Sequence, residues 1–71
     1  MKKEELKIGN KYEVIIDKEL ATGKLLRIDS GWFWDEGVFE VNVNHIDLKG
    51  KTTHKTIGVY KVFIEDIISP I

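Results

Sequence analysis

The chain has 71 residues, eleven basic and twelve acidic side chains, a net charge of −1 and no cysteine. That length allows one small domain, residues 1–71, near the lower limit for folding on a hydrophobic core alone. Disulfides and thiolate zinc sites are excluded, the balanced charge argues against a dedicated nucleic-acid binder, and no apolar run reaches the roughly eighteen residues of a membrane helix.

At the start, Lys2 and Lys3 are followed by Glu4 and Glu5 rather than by an apolar signal core, so a cytoplasmic protein is expected. Residues 1–9 read either as loose chain or as one helical turn stopped by Gly9. From Asn10 the apolar period becomes two, with Tyr12, Val14 and Ile16 on one face of a strand. Lys18 to Thr22 reads as a loop, and Gly23 restarts the chain into a second strand with Leu26 and Ile28 inward. Ser30-Gly31 permits a bend, Trp32-Phe33-Trp34 follows, and Asp35-Glu36-Gly37 reads as a turn. Val38 to Asn44 then alternates, with Phe39, Val41 and Val43 inward, and a bulge near Asn44-His45 is expected to bring Ile46 back to the same face.

Lys49-Gly50-Lys51 is the next turn. Thr52 to Ile64 is rich in β-branched and aromatic residues, which favours a long strand bent at Gly58. Val62 and Ile64 are expected inward. Glu65-Asp66 reads as a tight 3₁₀-like turn before a short last strand, with Ile67 inward and Pro70 confining it to an edge. Short strands at regular spacing and no helical period predict an all-β fold, a single five-stranded barrel of SH3-like type with bent strands. Closure would remove most exposed edges.

Two stretches carry a resemblance. Gly23-Lys24-Leu25-Leu26-Arg27-Ile28-Asp29 resembles the first Sm motif, and Val62-Phe63-Ile64-Glu65-Asp66-Ile67-Ile68 is similar to the second. The resemblance to Sm-like proteins implies a bent five-stranded barrel, often after a short N-terminal helix, assembling into rings that bind RNA. Its RNA site does not carry over. Where that family has an asparagine after the aspartate and an Arg-Gly pair at the second turn, this chain has Gly31-Trp32-Phe33-Trp34 and Glu65-Asp66. An acidic pair cannot attract phosphate.

Catalysis finds no support in the sequence. Neither Ser30 nor Ser69 lies in a nucleophile elbow, there is no phosphate loop, and adjacent carboxylates on a strand point to opposite faces. His45 and His54 flank the Lys49-Gly50-Lys51 turn with Asp47 near, but a third strong ligand is missing, so no metal and no cofactor is expected.

Two binding sites compete. Trp32 and Trp34 beside Asp35 and Glu36 suit a protein partner or a basic, extended peptide, since ring faces attract cations and the carboxylates add Coulombic attraction. In an extended segment the two indoles share one face and Phe33 takes the other; the same aromatics would equally serve as a barrel cap or a subunit contact. The alternative is a nucleic-acid site of Lys49, Lys51, Lys55 and Lys61, with Tyr60 for base stacking. Alternatively, this basic block pairs across the sheet with the acidic block Asp29, Asp35, Glu36 and Glu40. Ile15, Val59 and Phe63 fall on outward positions and would supply an apolar face for a homo-oligomer. A non-catalytic interaction module of bacterial or phage type, with nucleic-acid regulation as the alternative, is the functional expectation.

Overall fold

Period-two alternation from Lys11 onward folds into one antiparallel sheet. The computed structural model describes residues 1–71, Ile46 by its backbone alone. Five strands, β1 (Lys11–Ile16), β2 (Glu19–Ser30), β3 (Asp35–Ile46), β4 (Thr52–Phe63) and β5 (Ile67–Pro70), lie in the order β4-β3-β2-β1-β5. A 3₁₀ turn, Lys3–Glu5, precedes β1, and a second, Ile64–Asp66, joins β4 to β5. No helix among the described residues is long and apolar enough to cross a membrane.

The sheet is not closed into a barrel. β5 pairs with β1, Val14 against Ile67 and Tyr12 against Pro70, while β4 pairs only with β3. A single 3₁₀ turn carries the chain from β4 across to β1 instead of folding it back beside β4. The four residues of β5, ended by Pro70, offer too short a ladder to bridge both edges.

The inward faces meet in a small core: Leu6, Tyr12, Val14, Leu25, Phe39, Val41, Val62 and Ile67 are buried together. Tyr12 and Phe39 meet edge to face at 6.3 Å, and the Tyr12 hydroxyl accepts a hydrogen bond from the Lys7 amide at 2.8 Å. Of the expected inward residues, Tyr12, Val14, Phe39, Val41, Val62 and Ile67 are inside and Ile16, Ile28 and Ile64 are half-buried against the cluster, but Val43, past the end of the β2–β3 ladder, is half-buried away from it. The expected inward position of Ile46 concerns a side chain outside the described residues.

β2 departs from the expectation. It begins at Glu19, because Asp17 and Lys18 both take positive φ (51° and 66°) and close a two-residue turn where a longer loop was expected. Leu25, not Leu26, enters the core: Leu25 faces Phe39 and Arg27 faces Val38, so Leu26 is the extra residue of a bulge. Val38 is buried on the opposite face from Phe39. The register sets it between Arg27 and Lys61, whose charged ends both reach Asp29 (3.0 and 3.6 Å) and whose stems shield it.

β3 makes the molecule long. β2 pairs with β3 only from Gly23–Val41 to Ser30–Asp35, so Asn42–Ile46 and their β4 partners extend as a two-stranded arm. The principal extents are 43 × 22 × 16 Å, and the radius of gyration is 13.2 Å. A compact chain of this length would have about 11 Å.

Candidate interaction site

The β2–β3 connection builds the site. Gly31 donates its N–H to the Trp34 carbonyl at 2.8 Å, leaving Trp32-Phe33 as the tip of a tight turn. A Cβ on Gly31 would lie 2.8 Å from that same oxygen, so only glycine fits the approach. The turn therefore falls at Trp32-Phe33, and Asp35–Gly37 belongs to β3, contrary to the sequence expectation. Residues 31–34 lie outside the strands, so the arrangement an extended segment would have, with indoles on one face and Phe33 on the other, does not arise.

Turning the chain there leaves large aromatic surface in water. Trp32 is 98% exposed, Phe33 88% and Trp34 54%. Phe33 stacks on Trp34 at 6.3 Å, and Trp34 meets Phe63 of β4 edge to face at 6.2 Å. Phe63 arrives because the β3–β4 register sets it opposite Glu36. Its outward position was legible in the alternation of β4, but its neighbour was not, since that depends on register.

The two carboxylates are partly committed. Glu36 accepts a hydrogen bond from the Trp34 indole N–H at 3.2 Å, which orients the ring. Asp35 lies 3.6 Å from the Lys3 ammonium, which also donates to Ser30 Oγ at 2.9 Å. The N-terminal 3₁₀ turn thus brings a cation to the edge of the patch.

The residues of the alternative site are scattered. Lys49 and Lys51 lie at the far tip of the arm, where Asp47 accepts the amides of both at 2.9 Å. Lys55 stands on the arm opposite Asn44. Lys61 is held over the sheet by Asp29, and Tyr60 is half-buried on the inner face opposite Phe39. Asp29 is held below the usual carboxylate range, first by its hydrogen bond from Arg27 and further by the charges of Arg27 and Lys61, against an opposing desolvation effect. Among the described residues the basic and acidic blocks therefore meet only at Lys61 and Asp29.

His45 and His54 face each other across the arm and stack, ring centroids 4.2 Å apart and planes at 9°. His45 Nε2 bonds Thr56 Oγ1 at 2.9 Å, and Thr53 Oγ1 bonds His54 Nδ1 at 3.1 Å. The nearby bulge is on β4, where Thr53 is the extra residue between the His45–His54 and Ile46–Thr52 pairs. Among the described residues no group of three or more metal-ligating side chains converges.

β3 has the aromatic turn at one end and the lysine-bearing turn at the other. Twelve strand residues at about 3.3 Å each separate the two by about 40 Å. A single small ligand cannot touch both. Compared with known proteins, the chain matches no protein-family model, no curated protein and no solved structure.

Proposed function

We propose that this chain is a non-catalytic interaction module that docks a protein or extended peptide on the aromatic patch of Trp32, Phe33, Trp34 and Phe63. The observation that carries this reading is the near-complete exposure of Trp32 and Phe33 beside a half-exposed Trp34 fixed by Glu36 and Phe63. Water-exposed rings of this size are costly to leave uncovered, and aromatic anchors dominate interface energies. Asp35 and Glu36 add negative charge at the rim and favour a partner presenting Lys or Arg.

An SH3-like framework, opened along β4, is the fold reading that accompanies it. Its support is the four-strand meander, the 3₁₀ turn after β4 and the return of β5 onto β1. Homo-oligomer formation belongs to the same proposal, through the outward apolar residues of β4. Nucleic acid on the arm is the second reading, supported by the lack of any carboxylate within ion-pair distance of Lys49, Lys51 or Lys55 among the described residues.

Affinity capture from the source-cell lysate, with and without nuclease, separates the readings. A nuclease-resistant protein partner should be lost with Trp32→Ala or Phe33→Ala and kept when Lys49, Lys51 and Lys55 become Gln. Capture of nuclease-sensitive material alone, lost in the Gln variant, would replace the first reading with the second.

A further inference from the structure

β2 and β3 part company below the Gly23–Val41 pair. From there β2 continues with β1, and β3 continues with β4, so the sheet splits into two ribbons with a cleft of about 760 Å³ between them. That volume lies in the range of pockets that hold ligands. Its apolar lining is Ile16, Leu20, Ala21, Val41, Val43 and Tyr60; Leu20 is exposed, Val41 is buried and the other four are half-buried.

Strand alternation decides what the walls present. Leu25 exchanges hydrogen bonds with Gly9 and Asn10 on the β1 side. Counting by twos, Gly23, Ala21 and Glu19 also turn their peptide groups toward β1, so Leu20 and Thr22 turn theirs into the cleft. Lys24 and Glu40 consequently pair on the β2–β3 ladder, and by the same count Asn42 and Asn44 of β3 face the cleft from the other wall. Two strand edges with unpaired amides and carbonyls thus face one another over an apolar floor.

The charge of the lining selects the occupant. Lys24 and Glu40 stand opposite each other at the vertex, leaving Glu13, Asp17 and Glu19 against Lys11. We infer that the cleft takes an extended, lysine- or arginine-bearing peptide by strand addition, its backbone pairing with Leu20 and Thr22 or with Asn42 and Asn44, its apolar side chains resting on Val43 and Tyr60, and its cations, on the opposite face, directed toward Glu13. This surface lies at the opposite end of β3 from the aromatic patch, so the two sites are independent.

The probe is an acetylated, amidated peptide alternating lysine and valine over about eight residues, beside the same peptide with glutamate for lysine. Titration into the isotope-labelled chain, followed by amide exchange, should slow exchange at Leu20, Thr22, Asn42 or Asn44 by about tenfold or more with the lysine peptide alone. Glu13→Lys, exposed and outside the core, should weaken binding about threefold or more. Asn42→Pro removes a cleft-facing donor while leaving the β3–β4 bonds in place, and should also weaken it. Trp32→Ala should leave it unchanged. Equal binding of the glutamate peptide, protection at Ile57 and Val59 on the free β4 edge instead, loss of binding in Trp32→Ala, or no response at millimolar peptide would each overturn the inference.

Discussion

Three glycines show how much a single missing Cβ decides here. At Gly37 a methyl would come within 2.7 Å of Phe39 Cε2 and 3.3 Å of Ile67 Cδ1, both on fully packed side chains. At Gly58 it would meet Tyr60 Cε2 at 2.5 Å, but Tyr60 is half-buried and its ring can swing toward the cleft. Gly37→Ala is therefore expected to cost about 1–3 kcal/mol by overpacking, and Gly58→Ala clearly less, as urea unfolding of the two variants would measure. At Gly31 the obstacle is the Trp34 carbonyl, so its alanine variant strains the aromatic turn rather than the core. Charge acts more weakly at this scale. Asp29 has a depressed folded pKa, chiefly through Arg27, so its contribution is complete above the unfolded carboxylate value and is lost as pH falls through the lower folded value. Unfolding midpoints should therefore fall on acidification below about pH 4, less so in Arg27→Gln and less so in high salt. An identical acid profile in wild type and Arg27→Gln would remove that assignment.

Among the elements, β1, β3 and β4 were legible from alternation because each keeps its phase through the stretch that meets the core. β2 was not. Leu25 and Leu26 are both apolar, and only the pairing with β3 reveals which one the bulge expels. The Asp17-Lys18 turn was hidden for a different reason: Asp17 suits the first position of such a turn, but Lys18 stands where it prefers glycine. Both sit at positive φ, so Asp17→Asn with Lys18→Gly should stabilise the β1–β2 hairpin by about 1 kcal/mol, seen as a raised thermal midpoint. The candidate site was half-legible, since composition pointed to the tryptophans while the tight turn and the partner Phe63 required the register. The arm follows from pairing alone. Asn42–Ile46 and Thr52–Ile57 have one neighbouring strand each, and among their described side chains only Val43 is as much as half-buried, whereas Leu25 and Phe39 lie in the packed sheet. Amide exchange should accordingly be fast at His45, His54 and Thr56 and slowest near Phe39, and uniform protection along β3 would mean that the arm is covered in solution.

At the scale of the whole molecule, an open sheet leaves β4 as a twelve-residue edge with its outer hydrogen-bonding row unpaired. The same strand exposes Ile57, Val59 and Phe63 on its outward face. Ile15, expected with them, is half-buried on β1 and lies at the far side of the sheet. Long, flat, apolar edges invite pairing with another chain, and Lys55 and Lys61 on β4 bear on which pairing is permitted. An antiparallel match of two β4 strands about Gly58 would set Lys55 of one against Lys61 of the other, which like-charge repulsion disfavours. A stable self-association through this edge is therefore expected to be offset from that register or to use the other edge, β5, of the second copy. Sedimentation at micromolar concentration should show a concentration-dependent species larger than the monomer. Val59→Lys, which adds charge to the exposed edge without touching the core, should return it to monomer with an unchanged unfolding midpoint. A wild-type chain that stays monomeric throughout would leave the aromatic patch to a different partner, and would mean that the two lysines already protect the edge.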